Sequence, residues 1–153
     1  MDLIKDALYT FLISMVPIIE LRGAIPAGVG LGLEAWQATV ISVFGNMIPA
    51  PFIILFIKKI FAFLRKHVPK LDGFITKLEV KADKKSNKIR KSAFWGLFLF
   101  VAIPLPGTGA WTGALIAAML DMRLKDAIPA IALGVLTAGI LVFLGTVGVI
   151  ALI

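Results

Sequence analysis

The sequence predicts an all-α integral membrane protein: an inverted repeat of a re-entrant helical hairpin plus a transmembrane helix, with a basic amphipathic helix on the cytoplasmic side between the halves. Three observations predict it. The 153 residues are 59% hydrophobic and 16% charged, against about 45–50% and about a quarter in a soluble domain. So small a globule cannot bury that much apolar surface, so the excess faces lipid or partner subunits. The apolar residues also fall into four zones, and two of those zones are cut in the middle by Pro, Gly and charge.

Zone one runs from about Ala7 to Leu33 and is interrupted by Pro17, Glu20, Arg22, Gly23 and Pro26. Its legs, Leu8–Ile19 and Gly23–Leu33, are each too short to cross a bilayer, which takes about 20 residues of helix. Zone two, from about Ala38 to Ile57, carries no charge and is long enough to span. Zone three, from about Ala93 to Leu120, breaks at Pro104-Leu105-Pro106-Gly107-Thr108-Gly109 and leaves two short legs. Zone four, Ala127–Ile153, is uncharged throughout, and Pro129 in its first turn costs little because the N–H it removes would be unpaired anyway.

Zones one and three are therefore expected to be hairpins that enter the bilayer and turn back. Broken backbone at membrane depth survives only against protein or a wet cavity, so the two tips should meet or line a cavity. The order hairpin–span (7–57), connector (58–92), hairpin–span (93–153) makes one membrane domain of two opposed halves, an arrangement transporters use around midplane sites. Pro17 and Pro104 share one register, and Gly45 and Gly134 fall two residues outside it.

Twelve of the sixteen Lys and Arg lie between Lys58 and Lys91, and the net charge is +7. Flanked by apolar zones, that block reads as a cytoplasmic loop, with both termini outside. It does not read as a nucleic-acid surface. The stripe Leu71, Phe74, Ile75, Leu78 and Ala82 suits a helix at the lipid surface, with Pro69 near its start. Cysteine is absent and there is one His, so neither a metal site nor a cofactor is expected. No clustered nucleophile and base argues for an enzyme.

Glu20 and Arg22 are the only charges inside an apolar zone, which makes them functional candidates. Two residues apart they do not share a helix face, but at a non-helical tip they could converge. Arg22 would hold an anionic group and Glu20 would exchange a proton or bind a cation. The plainer alternative is a self-neutralising pair that pins the tip. In the second tip, Pro104 and Pro106 stop a helix, Gly107 and Gly109 permit tight turning, and a new helix is expected after Gly107 with Thr108 as a candidate cap. Its free N–H groups, with Thr112 nearby, could hold an anion. Gly109 with Gly113, and Gly28 with Gly32, have the spacing of close helix packing. Asn46, beside Pro49 and Pro51, could satisfy a freed carbonyl, bind an ion or join helices. Trp36, Trp95 and Trp111 are expected at interfaces or in packing. Asp121 and Asp126 are expected to be solvated.

The motifs Glu20-Leu21-Arg22-Gly23-Ala24-Ile25-Pro26 and Pro104-Leu105-Pro106-Gly107-Thr108-Gly109-Ala110-Trp111-Thr112-Gly113 resemble those of the small multi-drug export protein family of prokaryotic membrane proteins. The resemblance covers nearly the whole chain. It implies a multi-pass inner-membrane transporter or exporter of small amphipathic molecules. More distantly the layout looks like the DedA superfamily, some of whose members are implicated in flipping undecaprenyl phosphate or other phospholipids. That likeness implies an anionic lipid substrate and coupling to a proton or sodium gradient. It places Glu20 at the acidic residue of the first hairpin and Pro104 at the proline of the second. Val101 and Gly107 stand where such relatives carry arginines. The expected partners are membrane lipid and a second copy of the chain, since one copy can barely enclose a cavity. The competing expectation is a non-transporting assembly protein whose hairpins form an oligomer interface.

Overall fold

A computed structural model describes residues 2–87 and 93–153, with the backbone alone at 78 and 81–87. The described residues are helical, with no strand among them. The first zone folds as two short helices, α1 (Leu3–Met15) and α2 (Glu20–Leu31), joined by four residues and packed together. At 13 and 12 residues they are about 20 Å and 18 Å long, well short of a bilayer core of about 30 Å. Gly32 ends α2 with a left-handed backbone (φ 118°), the geometry glycine adopts most readily at a helix C-terminus.

α3 (Ala35–Met47) opens with a capping box between Glu34 and Gln37 and runs almost directly into α4 (Pro49–His67). Pro49 and Pro51 withdraw two N–H donors at the junction, so the 33-residue rod breaks at Ile48. Its first part is the predicted span. The rest of α4 carries Lys58, Lys59, Arg65 and Lys66 beyond it. A turn at Pro69–Leu71 leads into α5 (Asp72–Asn87).

The amphipathic stripe expected on the connector is used partly for protein packing. Ile75 is buried, and α5 packs on α4 and on α7 (Ala110–Met119), whereas Phe74 remains exposed. Leu78 and Ala82 lie outside the described side chains. So does the end of the connector, residues 88–92, with Lys88, Arg90 and Lys91, outside the described residues. Arg65 pairs with Asp72 and Glu79, tying α4 to α5.

α6 (Ala93–Ala102) and α7 form the second short-helix pair, and α8 (Leu124–Leu152) is the last and longest helix. α3–α4 and α8 are the two elements long and apolar enough to cross a membrane. Large apolar side chains such as Leu12, Phe44, Phe52, Leu136 and Leu144 stand exposed on the outer faces, as lipid contact requires and a soluble fold would not tolerate. Asp121 is largely exposed, as expected, and forms a surface ion pair with Lys58 of α4.

One seam recurs in both halves, although α2 packs closely on α1 and α3 whereas α7 packs chiefly on α4 and α5. A Cβ at Gly45 of α3 would strike the Ser14 side chain and the Phe11 carbonyl of α1. A Cβ at Gly134 of α8 would strike the Val101 side chain and the Phe98 carbonyl of α6. Phe11 and Ser14 stand 87 positions before Phe98 and Val101, in the register that pairs Pro17 with Pro104. Gly45 stands 89 before Gly134. At that same offset the buried positions Ala38, Ser42, Gly45 and Asn46 of α3 correspond to the buried Ala127, Ile131, Gly134 and Val135 of α8. In each half, then, a glycine on the long helix lets the first leg of the hairpin come close.

Candidate functional site

The tips of the two short-helix pairs meet, and what joins them is polar. Glu20 accepts from Arg22 Nη1 at 2.7 Å on Oε2 and from the Trp111 backbone N–H at 3.0 Å on Oε1. Arg22 Nη2 donates to the Ile103 carbonyl at 3.1 Å and to Thr108 Oγ1 at 3.2 Å. The Trp111 indole N–H donates to the Met15 carbonyl at 3.0 Å. The Glu20 side chain is 4% exposed and that of Arg22 16%. A charge-assisted network this dry is far stronger than its surface equivalent.

The local backbone makes this convergence. Ile18 and Glu20 have φ of 78° and 49°, a left-handed conformation that L-residues enter only at a cost, steepest for β-branched Ile18. Glu20 and Arg22 were expected on a non-helical tip, but they sit in the first turn of α2. The left-handed Glu20 swings its carboxylate off the helical path, and that is why residues two apart can touch. Across the interface, Gly109 has no side chain because there is no room for one: a Cβ there would overlap the Glu20 carboxylate and crowd the Arg22 guanidinium.

The second tip differs from expectation in one respect. Thr108 does not cap α7, which starts at Ala110 with Gly109 as its N-cap and no capping side chain. Thr108 Oγ1 lies 2.6 Å from the Ile103 carbonyl and 2.7 Å from that of Leu105 and also accepts the Leu105 N–H, so it braces the turn. Trp111, in the first turn of α7, gives its N–H to Glu20. The anion at this helix N-terminus is thus the protein's own carboxylate, placed where the helix dipole favours negative charge. Gly107 makes the turn with φ 80°.

Other candidates lie at varying distance from this centre. A small cavity of about 120 Å³ is lined by Pro17, Ile18, Glu20, Arg22, Gly107, Gly109, Trp111 and Thr112. Pro104 and Pro106 are exposed. Asn46 is 1% exposed, and neither atom of its amide has a hydrogen-bond partner. It satisfies no freed carbonyl and makes no hydrogen bond to Glu20. Among the described residues no cluster of His, Cys, Asp and Glu has the makings of a metal site.

Beside the Glu20–Arg22 pair a larger, mostly apolar groove of about 580 Å³ runs between α2 and α8. Pro26, Val29, Val142, Thr146 and Ile150 help line it, and Arg22 stands among its walls. The Arg22 Nε is buried and has no partner, so one N–H of the guanidinium remains to be satisfied.

Residues 20–141 match the model of the family described as "Putative small multi-drug export protein". The chain belongs to this family. The match begins at Glu20 and includes Arg22, Thr108 and Trp111. The family description points to a membrane exporter and not to catalysis. No curated protein and no solved structure matches the chain.

Sequence reasoning missed three members of the site. Trp111 was assigned to interfaces or packing, and the Ile103 and Met15 carbonyls were not considered. A backbone donor or acceptor leaves no mark on residue identity. The one available signal was position: Trp111 lies two residues after a Gly in a helix-starting motif, where N–H groups are free.

Proposed function

We propose that this protein is a small exporter in which the Glu20–Arg22–Trp111 latch holds the two hairpins shut. The observation that carries the reading is a buried, bipartite ion-pair network placed where the two broken segments meet. Such a network is costly to bury and adds little net stability over apolar packing. Its use is as a switch. Protonating Glu20 removes the charge that holds Arg22 and frees the N-terminus of α7. An anionic headgroup can then take both places, with its apolar part along the α2–α8 groove. Loss of the proton restores Glu20 as the competing anion and expels the substrate.

The substrate class this chemistry favours is an amphipathic anion, and an anionic lipid such as undecaprenyl phosphate fits it. The hairpins are taken to be re-entrant and the halves opposed, with the basic connector in the cytoplasm and the termini outside the inner membrane of a prokaryotic cell. Thr112, which lines the cavity at the latch, is assigned to substrate contact; Asn46 lines neither that cavity nor the groove. The headgroup has the cavity of about 120 Å³ and the apolar part the groove of about 580 Å³ beside it, and a second copy of the chain would cover the groove's open side.

Transport of a fluorescent anionic lipid in reconstituted vesicles tests this. Glu20→Gln and Arg22→Ala, checked for folding, should each cut pH-driven transport at least tenfold. Folded variants that transport as the wild type does would remove the latch from the mechanism.

A further inference from the structure

The buried face of α1 is polar. Its only buried residues are Asp6, Thr10 and Ser14, one helical turn apart each, while Leu3, Ile4, Leu8 and Leu12 point outward. Turning this face inward keeps its polar groups out of lipid. Across from it, α3 presents Ser42 and Asn46, both buried, with the Ser42 hydroxyl and both Asn46 amide atoms lacking any partner.

Packing alone does not ask for polar groups here. The corresponding seam of the other half, built with the same glycine approach, is filled by Leu97 and Val101 on α6 and by Ile131 and Val135 on α8. Four apolar side chains do there what Thr10, Ser14, Ser42 and Asn46 do here. The polar set therefore meets a need that the second half does not share.

We infer that the α1–α3 seam is a hydrated path by which protons reach the latch from the end of the membrane that carries Asp6. This rests on the exporter reading for its purpose. Successive members on α1 are about 6 Å apart along the axis, twice the length of one hydrogen bond, so a single water between neighbours makes a continuous chain. Thr10 and Ser14 donate to the Asp6 and Phe11 carbonyls, which leaves their oxygens free to accept. The orphaned Ser42 and Asn46 groups supply donors and acceptors for the same waters, and buried polar atoms of this kind are normally so satisfied.

The inner end of the path adjoins Met15, whose carbonyl holds the Trp111 indole, and the Trp111 N–H is the one given to Glu20. Asp2, Lys5 and Asp6 on α1 and Glu34 at the head of α3 are the charges at the open end. Arg22 is the charge at the inner end, and α8 adds Lys125 and Asp126 only in its first turn.

The cysteine-free chain allows a matched test in the full protein. Ser14→Cys and Ser42→Cys are compared with Val101→Cys and Ile131→Cys, their counterparts in the other half, using a small charged thiol reagent on sealed vesicles. The first pair should be labelled at least tenfold faster, and from the Asp6 side only. All four staying unreactive until the protein is denatured would show a dry seam and overturn the inference.

A second measurement reads the protons themselves. In a variant keeping Trp111 as its sole tryptophan, the rate at which its fluorescence follows a pH jump should fall at least tenfold on Asn46→Leu. An unaltered rate would overturn the path as a proton route. Because neither readout uses substrate, loss of the exporter reading would show separately, as unchanged transport in Glu20→Gln.

Discussion

The α1–α3 seam and the α6–α8 seam share one plan of packing and differ in chemistry. In both, a hairpin leg lies against a long helix over a glycine, Gly45 in one and Gly134 in the other. The second seam is closed by Leu97, Val101, Ile131 and Val135, and the first by Thr10, Ser14, Ser42 and Asn46. The contrast separates what the fold needs from what the function needs. A membrane helix pair is held by close packing, which the glycines allow. Unsatisfied polar atoms in hydrocarbon work against it. The half that keeps them is also the half that supplies Glu20 and Arg22, at whose corresponding positions, 87 residues on, stand Gly107 and Gly109. One hairpin brings the charges, and the other brings the turn, the helix N-terminus and the space that receives them.

The largest expected effect comes from breaking the point where the halves join. Arg22→Ala leaves a buried, nearly inaccessible carboxylate without its counter-charge, which should cost about 3–5 kcal/mol, read as thermal unfolding in detergent. Grafting the first seam's chemistry onto the second comes next. Val135→Asn buries an amide among Ala, Leu and Val, and should cost about 1–3 kcal/mol. The reverse change, Asn46→Leu with Ser42→Ala, removes the orphaned groups without adding bulk at the closed seam. It should leave stability within about 1 kcal/mol of wild type or raise it, while pH-driven transport falls. A large loss of stability in that variant would mean the polar seam is structural. The smallest effect belongs to Lys58→Ala: its ion pair with Asp121 is half to largely exposed, so it should cost under about 1 kcal/mol.

Much of the layout was legible in the sequence. Pro17 falls in the break at Val16–Ile19 and Pro104 and Pro106 in the break at Ile103–Gly109, because a helix does not readily pass a proline, whereas Glu20, Arg22, Gly23 and Pro26, expected to interrupt the first zone, lie inside α2. The meeting of the tips also followed from the backbone's need for partners. The polar face of α1 was not legible. Thr10 and Ser14 hardly alter the hydropathy of their zone, and Asp6 was placed outside it, so a stripe at positions 6, 10 and 14 passed as part of an apolar leg. Which face of α1 turns inward depends on α2 and α3, and Thr10 meets Gly28 and Ala38 there. Nor could the sequence show that the free N–H of Trp111 is taken by Glu20 and not left for a ligand, since that depends on the left-handed turn at Glu20.

The most direct test of the latch is the Trp111 amide itself. Protein labelled with ¹⁵N at its three tryptophans yields a backbone signal from each by NMR in detergent or nanodiscs. In Glu20→Gln the Trp111 amide should shift and lose its protection against hydrogen exchange, while the amides of Trp36 and Trp95 stay where they were. A Trp111 amide indifferent to the loss of the Glu20 charge would contradict the account at its centre.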